Sequence, residues 1–200
     1  MDKPRFAAAV LAAGLSTRMN EFKPLLPLGD TTITDYVIST FRNISIDVFL
    51  VAGYRREDIV SHIKDRPFKI VYNPDYEKGM FSSIQAAARE LGKEYRGFLM
   101  LPVDIPLVRA GTIKQIISAA AGHPDRIIYP VFQGKRGHPP LVPASLIPGI
   151  LKWDREGGLK TFLASHEELA LDIPVDDRFI LFDVDTPKDY AELLKQYKSN

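Results

Sequence analysis

The chain of 200 residues contains no cysteine. That excludes a disulfide framework, a thiolate metal site and a cysteine nucleophile, and it fits a reducing compartment. A surplus of charge is missing too: 26 Lys and Arg against 25 Asp and Glu leave a net +1. No global field therefore draws in nucleic acid or an anionic membrane, and any anion the protein holds must be held locally. No apolar run approaches the ~18 residues that cross a bilayer. Histidines number four, and His138 is not within metal-ligand spacing of another, which argues against zinc. The hydrolase elbow GxSxG, the phosphate loop GxxxxGK[ST] and the dinucleotide fingerprint GxGxxG are all absent.

What is present is an ordinary globular composition, 46% apolar and 26% charged, enough for one domain spanning residues 1–200 with a sizeable core. Lys3 and Arg5 followed by "FAAAVLAAGL" imitate the basic and apolar regions of a secretory leader. Cleavage there would remove the first strand, so a cytoplasmic location is expected. Short apolar runs predict strands over Phe6–Ala12, Asp47–Ala52, Lys69–Tyr72, Gly97–Leu101, Ile127–Val131, Leu171–Val175 and Phe179–Asp183. Amphipathic stretches predict helices near Thr34–Arg42, Arg56–Ile63, Phe81–Leu91, Gly111–Ala121, Leu159–His166 and Pro187–Tyr197. This alternation, with strands apolar almost without a break, specifies an α/β fold whose mainly parallel sheet is covered on both faces. The proline-rich "HPPLVPASLIP" (His138–Pro148) reads as a turn-rich connection.

In open α/β sheets ligands collect at the carboxyl ends of strands, and four predicted strand ends carry chemistry. After the first come Gly14, Arg18 and Lys23, a flexible loop whose two cations suit a polyphosphate. After the third comes "NPDYEKGMFSS", where Gly79, Ser82 and Ser83 open a helix whose free N–H groups suit an anion or serve simple capping. After the fourth, "LPVDIPLV" places Asp104 in apolar surroundings, where a carboxylate must be hydrogen-bonded, exposed, bound to a cation or used as a turn or helix cap. The last predicted strand enters "FDVDTP". Asp183 and Asp185 would share a strand face there, and Asp185 also makes a good helix start. Two carboxylate clusters suit a hard cation such as Mg²⁺. His138, between Gly137 and Pro139, is either a site residue or a plain turn residue. A metal-assisted transfer between phosphates needs cations and carboxylates but no protein nucleophile.

These segments, in this order, resemble one family. "LAAGLSTRMNEFK" is similar to the LAAGxSxRMGxxK signature of nucleotidyltransferases related to the molybdenum cofactor cytidylyl- and guanylyltransferases, and "NPDYEKGMFSSI", "LPVDIPLV", "GKRGHPPL" and "FDVDTPKDY" agree with it. The resemblance spans nearly the whole chain. It implies a Rossmann-like, three-layer nucleotidyltransferase fold. It also implies Mg²⁺-dependent transfer of a nucleoside monophosphate from an NTP to a phosphate-bearing acceptor, with release of pyrophosphate. By motif position Leu11, Ala12, Ala13 and Gly14 would line the nucleotide's base and sugar, Arg18 and Lys23 would hold the triphosphate, and Asp104 and Asp185 would face the metal. Ser82 and Ser83 fall near the nucleotide, and His138 and Gly158 on the acceptor side. "LAAG" resembles the cytidylyl branch rather than the LAGG of the guanylyl branch, so CTP is the expected donor. Molybdopterin is the expected acceptor, and a molybdoenzyme or its maturation factor the expected partner. Departures from the pattern are Asn20 and Val103 where glycine is common, and "REGGLK" (Arg155–Lys160) in place of GDxGAR. A sugar-phosphate nucleotidyltransferase, a glycosyltransferase using "DVD", and a non-catalytic nucleotide-binding module remain alternatives.

Overall fold

Three alanines in "RFAAAVL" explain the centre of the molecule. Strand β1 (Arg5–Leu11) is buried from its second residue onward, and its small side chains let layers approach closely on both sides. Ala8, Val10 and Ala12 point into one core, while Ala7, Ala9, Leu11 and Ala13 point into the other, the period-2 alternation of a doubly covered strand. The computed structural model describes residues 5–19, 21–63 and 68–199; Lys3 and Asn20, both weighed above, lie outside them.

The remaining strands are β2 (Pro27–Leu28), β3 (Thr31–Thr32), β4 (Asp47–Ala52), β5 (Lys69–Tyr72), β6 (Tyr95–Pro102), β7 (Ile127–Phe132), β8 (Lys135–Arg136), β9 (Leu141–Pro143) and β10 (Ala170–Pro174). The helices are α1 (Ile33–Arg42), α2 (Arg56–His62), α3 (Met80–Glu90), α4 (Ala110–Gly122), α5 (Ile147–Lys152), α6 (Gly158–Ala164) and α7 (Pro187–Ser199). The main sheet runs β10-β7-β9-β6-β1-β4-β5, with β8 added to β7. Pairs β1–β4, β1–β6, β4–β5 and β7–β10 are parallel, and β9 is antiparallel to both neighbours. Ile33, Val37 and Phe41 of α1, Ile59 of α2, Ile113 and Ile116 of α4 and Leu193 of α7 fill one core; Ile84 of α3, Ile150 of α5 and Phe162 of α6 fill the other. The result is a Rossmann-like α/β architecture with a mainly parallel sheet.

Two elements differ from the sequence expectation. Phe179–Asp183 is not a strand: Arg178–Leu181 form a 3₁₀ turn, started by the Asp177 carboxylate accepting from Phe179 N. Its apolar run exists because Phe179 and Ile180 are buried, and a short apolar run does not by itself distinguish strand from turn. Conversely, His138–Pro148 is more than a connection, since it contains β9 and the start of α5. Pro140 precedes β9 and Pro143 ends it, and its ladder is confined to three residues paired with Gly97–Leu99, in keeping with proline's missing donor. Gly97 permits this crossing: a Cβ there would lie 2.7 Å from the Val142 carbonyl oxygen.

Candidate active site

The chain leaves β1 toward β4 on one side, whereas β6 enters on the other. The strand order therefore reverses between β1 and β6, and a crevice opens beyond their carboxyl ends. Val103 N bonds to the Leu11 carbonyl at 3.1 Å, and Ala12 N to the Val51 carbonyl at 2.9 Å. The first bond sets Val103–Asp104 beside the end of β1, and the second ties the start of the Ala12–Gly14 loop to β4.

The loop after β1 is anchored more firmly than its composition suggests. Met19 and Phe22 are buried, Lys23 N bonds to Ser16 Oγ at 3.2 Å, and Thr34 Oγ1 donates to the Pro24 carbonyl at 2.7 Å. Lys23 itself is 4% exposed. The sequence places it in a flexible loop; the turn Lys23–Leu25 turns it inward. Its Nζ lies 3.0 Å from Asp104 Oδ1 and 3.2 Å from Asp185 Oδ1, and Arg18 Nη1 lies 2.6 Å from Asp185 Oδ2.

The acidic partners arrive from the far end of the chain. Val184 N bonds to the Asp104 carbonyl at 2.9 Å, which docks the segment before α7 against the end of β6. The helix-start explanation of Asp185 is displaced by its neighbours: Asp189 Oδ2 accepts from Thr186 N at 2.8 Å, and Thr186 Oγ1 takes Asp189 N at 3.3 Å, as in a capping box. The Asp185 carboxylate is thereby left for Arg18 and Lys23. Nor does Asp104 cap α4, since Asp177 accepts from Arg109 N and Thr112 Oγ1 there. Carboxylate oxygens of Asp104, Asp183 and Asp185 lie within 4.8 Å of one another, although a turn, not a strand, brings Asp183 and Asp185 there. Burial pushes the Asp104 carboxyl above its ordinary range, with Lys23 opposing and Asp185 adding to the rise; burial, then Asp185 and Asp104, raise Asp183. Crowded carboxylates with raised pKa values form a donor set that a divalent cation would relieve.

A cleft of about 330 Å³ lies over these groups, and Leu11 through Gly14, Arg18, Lys23, Ser83, Asp104 and Asp185 all line it. Ser82 does not. It is a buried pin whose hydroxyl lies 2.8 Å from the Asp75 and Gly79 carbonyls. Sequence reasoning overlooked Tyr76, Glu77 and Met80 on the cleft wall, and also Asn73, 2% exposed, whose Nδ2 donates to Ser82 Oγ at 2.8 Å and Ser83 Oγ at 2.9 Å. Their signal was positional: all follow β5 inside a segment already singled out.

His138 and Gly158 line a second, larger cavity of about 750 Å³, which shares Met80 with the cleft. Burial holds the His138 imidazole below its usual range, against a hydrogen bond to the Met100 backbone, while its buried Nδ1 has no partner among the described residues. Gly157 and Gly158 take φ values of +86° and +56°, so "REGGLK" uses both glycines to launch α6 from left-handed backbone.

Strand order, cleft and paired charges describe an α/β protein with a site suited to a polyphosphate and its counter-cation. Residues 8–169 match the MobA-like NTP transferase domain, and the chain belongs to that family. Over 189 residues it is 27% identical to the molybdenum cofactor cytidylyltransferase of Escherichia coli K12, covering 94% of this chain and 95% of that one. It is also 27% identical over 203 residues to the nicotine blue oxidoreductase of Paenarthrobacter nicotinovorans, covering 96% and 98%. Among solved structures, Rv0371c from Mycobacterium tuberculosis H37Rv superposes with a TM-score of 0.87 at 24% identity over 98% of this chain and 100% of that one. The same protein in complex with manganese gives a TM-score of 0.80 at 22% identity, covering 96% and 98%.

Proposed function

We propose that this member of the family transfers CMP from CTP, with Mg²⁺, to the phosphate of molybdopterin or its metal-loaded cofactor, releasing pyrophosphate. The observation that carries the reading is the set of opposed charges in the cleft. Arg18 and Lys23 face Asp104 and Asp185 at 2.6–3.2 Å, which provides for a polyphosphate and its counter-cation at one strand-order reversal. A bound divalent cation would neutralise phosphate charge as it develops; Asp104 and Asp185, joined by Asp183, would hold it, and the manganese complex of a structural relative supports a divalent cation as the partner. Lys23 and Arg18 would turn to the triphosphate and orient it. No residue is needed to activate the attacking group, because a phosphate monoester is already anionic at neutral pH.

CTP is favoured because Ala13, buried in the cleft wall, adds a methyl group where the guanylyl branch has glycine, and because the full-length relative in Escherichia coli is a cytidylyltransferase. The cavity beside the cleft supplies room for the acceptor. A cytoplasmic location is supported by the cysteine-free composition.

The test is a thermal-shift panel of CTP, GTP, ATP and UTP with Mg²⁺, followed by a pyrophosphate assay. CTP at ~100 times its Kd is expected to stabilise the protein by about 2.7 kcal/mol. Equal or greater stabilisation by GTP overturns the base assignment. Nucleotide binding without pyrophosphate release in the presence of acceptor identifies a binding module instead. A preference for nucleoside diphosphate sugars identifies a glycosyltransferase.

A further inference from the structure

Arg136 invites assignment to the acceptor's phosphate, since it lines the second cavity and belongs to "GKRGHPPL". Its hydrogen bonds argue otherwise. Nε donates to Asp172 Oδ1 at 2.6 Å, while Nη1 and Nη2 donate to the two Glu167 oxygens at 2.9 and 2.7 Å. Both edges that could grip a phosphate in bidentate fashion are occupied. Two carboxylates on one guanidinium also leave this corner with net negative charge, which repels an anion. What remains is a flat face: the guanidinium lies 4.3 Å from the centre of the Tyr129 ring, and the Arg136 side chain keeps 34% of its surface exposed.

The backbone explains why this arrangement is rigid. Arg136 sits opposite Val131 in the β7–β8 hairpin, diagonal to Tyr129, so the two side chains meet on one sheet face. Asp172 pairs with Tyr129 across β10, and Glu167 follows α6. Three separate elements thus lock the plane of the guanidinium before any ligand arrives. Lys160, by contrast, lies near the start of α6, whose Gly158 packs against Phe81 beside Met80, at the boundary with the cleft.

We propose that the Tyr129–Arg136–Glu167 corner recognises the ring end of the acceptor, stacking a planar heterocycle on the guanidinium face and accepting hydrogen bonds from its N–H groups at Glu167. The acceptor's phosphate then points away from the corner, past Lys160, toward the cleft where it must attack. The inference rests on the reading of this cavity as the acceptor site.

Free pterin tests it, because it carries the ring but no phosphate and cannot be turned over. Its binding to the full chain is followed by pterin fluorescence, with glycerol 3-phosphate as the ligand that has phosphate but no ring. The wild type is expected to bind pterin at least tenfold more tightly than glycerol 3-phosphate. Arg136→Lys, which keeps the charge but loses the plane, and Glu167→Gln, which loses the anion, are each expected to weaken pterin binding about tenfold while leaving the CTP thermal shift unchanged. That unchanged shift also reports that the variants are folded. The proposal is overturned if both variants bind pterin within twofold of wild type, or if glycerol 3-phosphate binds as well as pterin. Absence of any CTP shift would instead overturn the nucleotide reading, and the pterin comparison would still decide the corner.

Discussion

In the cleft, two cations and three carboxylates meet at the tips of segments that start as far apart as residues 18 and 185. In the cavity next to it, Arg136 and its two carboxylate partners are tied to a hairpin, a strand and the end of a helix. On the proposed reading the first set of ion pairs is exchangeable, because a polyphosphate would offer each cation another partner and a metal ion would offer one to each carboxylate. The second does not exchange, because both hydrogen-bonding edges of the guanidinium are used within the protein and only its flat face is left for a ligand. A short ion-pair distance alone therefore says little about role; what matters is whether the partners can change.

The sharpest way to break this contrast is to remove charge from the cleft without changing its shape. Asp104→Asn is expected to lower pyrophosphate release by roughly 10²–10³-fold, the scale of losing one preorganised electrostatic group, while the protein stays folded. Asp183 completes the carboxylate group, so Asp183→Asn is expected to impair turnover too, by a smaller factor, since no described cation pairs with it. Steady-state pyrophosphate release across the two variants decides this. Near-normal turnover in Asp104→Asn would remove the cleft's exchangeable character and the mechanism with it.

Lys23→Met probes exchange directly. In the wild type a divalent cation alone must displace the Lys23 ammonium from Asp104 and Asp185. The variant is therefore expected to bind Mn²⁺ alone more tightly, and CTP with Mg²⁺ more weakly, by about 1.5–3 kcal/mol for the lost charge-assisted contact. Titration calorimetry reads both signs; if Mn²⁺ binds less well as well, Lys23 does not occupy the metal's place. The ligand-free variant is expected to lose about 1–2 kcal/mol of stability, less than for a fully buried pair, because the Asp104 and Asp185 side chains are 32% and 36% exposed.

How much of this was legible from the sequence follows the same division. β1, β4, β5, β6 and β7 are continuous apolar runs, and the loop chemistry after them is local, so Gly14, Arg18, Lys23 and Asp104 could be picked out one by one. That Lys23 is buried could not, because its burial depends on Thr34 holding Pro24 and on Asp185 arriving from 162 residues away. β9 was hidden by its prolines, and its place between two strands is a tertiary fact. The role of Thr186 and Asp189, which releases Asp185 from capping, was written in "DTPKD" and overlooked because the aspartate before the threonine drew attention. The Arg136 network joins residues from three elements, and nothing in "GKRGHPPL" indicates that its arginine is already spoken for.

The smallest expected effect concerns the cavity's own titratable wall. Among the described residues His138 donates to no carboxylate; burial lowers its pKa, opposed by the Met100 backbone hydrogen bond. In the unfolded chain the imidazole titrates near 6.5, and in the fold it titrates lower. Between those two values the unfolded chain binds more protons than the folded one, so stability rises with pH across that window and falls as the solution is acidified through it. Below the folded value both states are protonated and this group contributes no further slope. His138→Gln keeps a donor for the Met100 carbonyl but cannot titrate, and the three remaining histidines are common to both proteins and cancel in the comparison. Ligand-free wild type is therefore expected to lose more of its thermal midpoint than His138→Gln on going from pH 7.5 to pH 5.5. Parallel losses in the two proteins would mean that the imidazole is hydrated in the fold and that this side of the cavity is wetter than its packing against β6 requires.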